Sequence, residues 1–299
     1  MSGRPVTAGG RPSFADLAEL VRLPAVASVP GDALAGAAFA CGDRGIPARA
    51  YSLPLSSSLI YLAGMALNDY ADRHVDAEER PHRPIPSGRV TPQQAAQLAH
   101  VLTAAGIAVA ALNGRRALGV AVPLASAVYA YDLVLKNTAA GPAAMAACRV
   151  LDVLLGATAG QVRYAVPAAT AIGAHTLLLT TVSRREVEGA TTEFARKATI
   201  AAGVVAGLAT LAVLFGSRRR RLDGFVPLAA YTATQVRAGL ATVADPSPKT
   251  LQQMVGSGVL ALIPLQSALL IATGHRRLGS LIGSLWPMAQ RLAKRRAVT

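Results

Sequence analysis

Four oxygen-bearing side chains, Asn68, Asp69, Asp72 and Asp76, are followed closely by Arg80, Arg83 and Arg89 in a chain that is otherwise one apolar segment after another. If residues 62–76 form one helix at about 100° per residue, the three carboxylates lie within about 60° of one another, with Asn68 at the edge of that face. Like charges so placed repel and raise one another's pKa, so the arrangement costs stability unless a cation sits among them. Hard oxygen ligands that leave room for water and substrate phosphates are what Mg²⁺ takes. The loop that follows contains Pro81, Pro84, Pro86 and Pro92, which stiffen it and forbid a continuous helix. Its guanidinium groups can therefore meet phosphate oxygens from a comparatively rigid frame. A polar loop between two membrane helices is the plainer alternative, weakened by the cost of clustering like charge on one helix.

The elements that must position these groups are hydrophobic. The composition is 52% hydrophobic and 15% charged with a mean hydropathy of +0.39, and apolar runs near bilayer length recur along most of it. This predicts an all-α, polytopic membrane protein with about nine transmembrane helices, at residues 22–40, 52–67, 94–112, 118–134, 141–160, 166–182, 198–216, 225–243 and 250–273. Residues 1–15 read as a disordered tail without a cleavable signal. Residues 16–275 form the membrane domain, and 276–299 a basic interfacial tail with Leu281, Ile282, Leu285 and Trp286 among its cations. A net charge of +14 would suggest nucleic acid in a soluble domain. Here the arginines sit in short connections and at the ends, where they meet lipid head groups, and neither zinc-finger spacing nor aromatic-basic interleaving supports a nucleic-acid partner. Cys41 and Cys148 are far apart, without a partner at metal spacing, and read as packing residues.

The pattern Asn68-Asp69-x-x-Asp72-x-x-x-Asp76, with Glu79-Arg80-Pro81-x-Arg83-Pro84-Ile85-Pro86-Ser87-Gly88 behind it, resembles the first aspartate-rich motif and following loop of the UbiA superfamily of intramembrane prenyltransferases. The resemblance implies a bundle around a central lipid-facing cavity, a polyprenyl diphosphate substrate, Mg²⁺ as cofactor and catalytic roles for Asn68, Asp72 and Asp76, with Asp69 as a further metal ligand. It also favours diphosphate contact by Arg22 at the start of the first span, against snorkelling to head groups. Lys136, in Tyr131-x-x-x-x-Lys136, resembles a family segment too; helix-dipole and lipid chemistry is its alternative. Arg149 either pairs with Asp152 at i and i+3 or, as the resemblance implies, faces the cavity beside the substrate head group.

The second motif departs from the common pattern. Where the family's second aspartate pair belongs, the chain reads Ser183-Arg184-Arg185-Glu186-Val187-Glu188-Gly189, then Glu193. Glu186 and Glu193 would share a face at i and i+7 on a continuous helix and bind a second metal there, but Gly189 argues against continuity. Arg184 and Arg185 would take over part of the metal's work of offsetting phosphate charge. This form looks like the EboC-type branch, for which a cyclitol-like acceptor is implied in place of an aromatic one. Two other groups carry local readings: Asp32, after Pro30-Gly31, caps the next helical stretch, and His175 is a hydrogen-bonded packing residue.

The expected activity is transfer of a polyprenyl group from its diphosphate to a small acceptor, with Mg²⁺-assisted ionisation. The alternative is a noncatalytic lipid-binding or transport protein of the same fold. Charge leaves topology in conflict, because the arginines after the seventh span and the basic tail fall opposite the acidic loops. Family chemistry places those loops at the cytoplasmic face of a bacterial plasma membrane.

Overall fold

A computed structural model describes residues 12–23, 26, 29–217 and 221–296. Among them there are helices and turns and no strand. The expected tail falls largely outside the described residues, except that Phe14 opens α1 (Phe14–Leu20), capped by Ser13 in a reciprocal bond with Asp16. Helices occupy all nine segments read from the sequence: α2 (Pro30–Cys41), α3 (Leu53–Ala71), α5 (Pro92–Ala111), α6 (Arg115–Ala130), α7 (Gly141–Ala157), α8 (Val166–Ser183), α9 (Thr192–Leu214), α10 (Phe225–Ala244) and α11 (Pro248–Ala272). With their flanking turns, α3, α5, α6, α8, α9 and α11 are long and apolar enough to cross a membrane. The other three are short, in α2 and α7, or carry Gln235 and Arg237, in α10.

Two expectations about helix limits change. The first helix begins at Pro30, and Arg22 precedes it with a left-handed φ of 48°, a strained conformation for a residue with a Cβ. The helix through the acidic motif is not continuous. It ends at Ala71, and α4 (Arg73–Glu79) starts after Asp72, whose φ of −86° and ψ of 1° interrupt the helix.

Small residues set the central packing. A Cβ at Gly36 would meet the Val153 carbonyl oxygen, and one at Gly156 the Ala33 carbonyl oxygen, so α2 and α7 touch backbone to backbone. Around this pair, Ala35, Phe39, Ile172, Ala202, Tyr231 and Leu265 belong to one core shared by α2 and α7 to α11. A second cluster from Leu20, Ala66, Leu67, Ile85, Val90, Ala95 and Ala99 pins the proline-rich loop onto α1, α3 and α5. The capping box of Thr91 and Gln94 starts α5 directly behind that loop.

The basic tail forms α12 (Arg276–Arg296). It runs back along α11: Ser267 donates to the Gly279 carbonyl oxygen at 2.8 Å, and further along Trp286 and Gln290 border a cavity with Thr250, Gln253 and Met254. Its apolar residues Leu278, Ile282 and Leu285 pack against Leu34, Ala38, Ile263 and Leu270.

Candidate active site

Across the break at Asp72 the three carboxylates meet four cations in two groups. Asp69 is bonded to Arg22 at 3.0 Å and lies 3.4 Å from Arg83; Asp76 accepts from the same Arg83 nitrogen at 2.6 Å and lies 3.5 Å from Arg80. Both carboxylates are buried. Asp72, 29% exposed, turns to Lys136 with a 2.5 Å contact. The expected common face for all three therefore resolves into two acids flanking Arg83 and one at the end of α6. Arg22 reaches Asp69 from its strained backbone, and Arg83 is held by the docked loop.

Lys136 is delivered by a wide helical turn, Tyr131–Leu135, in which the Lys136 N–H donates to the Tyr131 carbonyl oxygen. Such bulges recur at functional sites because they re-aim side chains. The same turn places Asp132, buried and overlooked in the sequence, 3.3 Å from the Asn68 amide nitrogen. Asn68, Asp72, Asp132 and Lys136 thus form one polar group. The sequence signal for Asp132 was an acid inside an apolar span.

Arg89, offered by the sequence as a phosphate ligand, is engaged elsewhere. It donates to Glu19 at 2.7 and 2.9 Å, to Asp16 at 2.9 Å and to the His82 carbonyl oxygen at 2.8 Å. These contacts clasp α1 to the loop. Hydrogen bonds from Ser13 and then Arg89 hold the Asp16 carboxyl below its ordinary pKa, Arg89 does the same for Glu19, and the two acids push Arg89 further up.

Below the acidic group, α3, α6 and α7 enclose a cavity of about 240 Å³. Arg22, Asn68, Tyr131 and Asp132 line it at the mouth, and Ile60, Leu124, Val128 and Met145 give it apolar walls. Arg149 lines it as well, but its expected pairing with Asp152 is replaced. Its Nε lies 2.9 Å from Asp32, whose other oxygen accepts from Gln266 at 2.7 Å. Asp32 is fully buried and makes no cap bond, so the capping expectation gives way to an ion pair between α2 and α7. His175 is a packing residue, bonded to the Tyr231 hydroxyl at 3.0 Å and the Gly258 carbonyl oxygen at 3.1 Å.

The second motif is a turn. Gly189 adopts a φ of 82° and α9 begins at Thr192, so Glu186 and Glu193 sit on different elements. Glu193, 75% exposed, pairs with Lys197 at 2.6 Å, and Arg185 pairs loosely with Glu188 at 3.8 Å. Among the described residues Glu186 forms no ion pair, and burial raises its pKa. Arg184, exposed, donates to the Thr138 carbonyl oxygen two residues after Lys136.

The donor set at the first motif suits Mg²⁺. Asn68 and Asp72 offer hard oxygens one helical turn apart, and Lys136 already places positive charge at Asp72. Among the described residues no three acidic, His or Cys side chains are grouped to hold an ion unaided.

The UbiA prenyltransferase family model matches residues 32–277, most of the chain. This chain belongs to the UbiA prenyltransferase family. Digeranylgeranylglyceryl phosphate synthase of Methanopyrus kandleri is 36% identical over 116 residues, a match spanning 39% of this chain and 40% of that relative. The synthase of the same name from Natronomonas pharaonis is 27% identical over 277 residues, 88% of this chain and 91% of its own length. A UbiA homologue from Archaeoglobus fulgidus, solved with GPP and Mg²⁺, superposes with a TM-score of 0.55 at 14% identity, over 85% of this chain and 99% of that one. The UbiA fold and an integral membrane protein follow from these matches and the apolar helices.

Proposed function

We propose that this UbiA-family chain transfers a prenyl group from its diphosphate to a small acceptor inside the membrane. The observation that carries the reading is the ring of Arg22, Arg83, Arg80 and Lys136 interleaved with Asp69, Asp76 and Asp72, set over an apolar-walled cavity. Arg80, half-exposed, and Arg22, 40% exposed, present open guanidinium edges to a diphosphate, while Lys136 and Arg184 approach from the α6–α7 side. Asp69 and Asp76 keep Arg22 and Arg83 aimed there. Asn68 and Asp72 would hold Mg²⁺, which when bound offsets charge on the departing diphosphate. The guanidinium groups share that task as the allylic C–O bond breaks, and the apolar walls keep water from the reacting carbon.

The second-motif acids are not needed for this scheme, since Glu193 is committed to Lys197 at the surface. Nor is Arg185, which is half-exposed beside Glu188. The EboC-type likeness of residues 183–189 bears on the acceptor alone. A cytoplasmic mouth in a bacterial plasma membrane belongs to this reading, and α12 returns along α11 with Gln290 beside Thr250.

The test is diphosphate release from geranylgeranyl diphosphate by the purified protein in lipid, with and without Mg²⁺ and with extract supplying acceptors. Mg²⁺-dependent release that disappears in Asp72→Ala supports the reading. Absence of both release and Mg²⁺-dependent binding would turn it to a lipid-binding or transport protein.

A further inference from the structure

Asp132 is assigned no contact with the diphosphate or the ion, yet it is a buried carboxylate, 4% exposed, and among the described residues it forms no ion pair. An apolar side chain of similar volume would cost the fold less at such a place. What Asp132 does hold is Asn68. An ionised carboxylate only accepts, so the 3.3 Å approach of Asn68 Nδ2 to Asp132 Oδ1 fixes the amide with its nitrogen towards the turn 131–135 and its oxygen on the opposite side. Without that partner the amide is free to present either end. Gly64, one turn earlier on α3, makes room for the contact: a Cβ there would lie 2.8 Å from Val128 Cγ1 and 3.6 Å from Asp132 Oδ2.

The contact is one of a matched pair. Asp132 lies 64 positions after Asn68, and Lys136 lies 64 positions after Asp72. The wide turn therefore meets the end of α3 in register and grips both oxygen donors at once, one through a hydrogen bond and the other through an ion pair. Partners that orient the ligands of a metal typically change its affinity about 10–100-fold when they are removed.

We propose that Asp132 is the positioning residue for Asn68, fixing the amide so that its oxygen is the end offered to Mg²⁺. This rests on the prenyl-transfer reading above, in which Asn68 and Asp72 would hold the ion. The test is binding of tritiated geranylgeranyl diphosphate to the full-length protein in lipid as Mg²⁺ is titrated, with no acceptor present. Asp132→Leu removes the carboxylate at similar volume and is expected to raise the half-saturating Mg²⁺ concentration about tenfold. Its thermal midpoint should stay level or rise, because a desolvated charge is lost with the hydrogen bond. Asp132→Ala, carried alongside should leucine not be accommodated, has the same expected rise in Mg²⁺ requirement. Asp132→Asn keeps an oxygen that accepts from Asn68 and should stay within about threefold of the parent. An unchanged Mg²⁺ requirement in Asp132→Leu or Asp132→Ala would overturn the proposal, and so would a rise in Asp132→Asn as large as theirs. Either result beside Mg²⁺-dependent binding in the unsubstituted protein defeats the positioning role alone. Absence of Mg²⁺-dependent binding in the unsubstituted protein defeats the prenyl-transfer reading with it.

Discussion

The first acidic motif and the turn that replaces the second contain the same ingredients, carboxylates next to arginines, and use them in opposite ways. At the first, Asp69 and Asp76 are buried, and their arginine partners come from a strained backbone before α2 and from a docked loop. At the second, Glu193 pairs with its own helix neighbour Lys197 and Arg185 with Glu188, both pairs in solvent. Exposed pairs of that kind hold little energy, whereas removing one partner of a buried pair strands a charge. Charge composition alone therefore does not mark a site; the packing that orients the charges does.

Substituting Arg83 should break this contrast most severely. Arg83→Ala leaves Asp69 and Asp76 without their shared partner, and a loss of about 3–5 kcal/mol is expected where a buried pair is broken. It would be read as a large drop in the thermal midpoint in lipid together with lost diphosphate binding. Asp72→Asn comes next, with turnover reduced about 100-fold or more for loss of a group that stabilises developing charge, while the midpoint stays near that of the parent because Asp72 is partly exposed. Glu193→Gln should change turnover less than about twofold, as for an exposed pair. An effect as large as that of Asp72→Asn would instead make the second motif a working metal site.

The smallest effect belongs to the α1 clasp. Asp16 and Glu19 have pKa values lowered in the folded protein by Ser13 and Arg89. Their contribution is present above the ordinary carboxylate range and fades as pH falls through the lowered values. Acidification below about pH 4 should therefore speed amide exchange across α1, whereas Arg89→Ala should give fast exchange at neutral pH already. Because the pairs are partly exposed, the stabilisation lost is below about 1 kcal/mol.

What could be read from the sequence divides along the same lines. Nine helical segments were legible because apolar runs and their polar punctuation are local, and Asn68, Asp72 and Arg83 stood out because their types crowd into one stretch. Asp32 was misread as a cap, since its partners lie on α7 and on α11, the latter 234 positions away. Asp132 was passed over because its meeting with Asn68 depends on a wide turn that spacing does not announce. Arg89 looked like one more phosphate ligand until α1 closed over it. Each miss concerns a contact between distant segments, where residue type constrains the chemistry and leaves the partner open.

The return of α12 along α11 has a practical side. Phe14 belongs to a helix clasped against the acidic loop, and Gln290 lies by Thr250 at the same end of the bundle. Phe14 and Gln290 thus lie on the same face of the bundle. Labels placed on Phe14 and on Gln290 would therefore report from one side of the membrane, so a single impermeant reagent would reach both or neither.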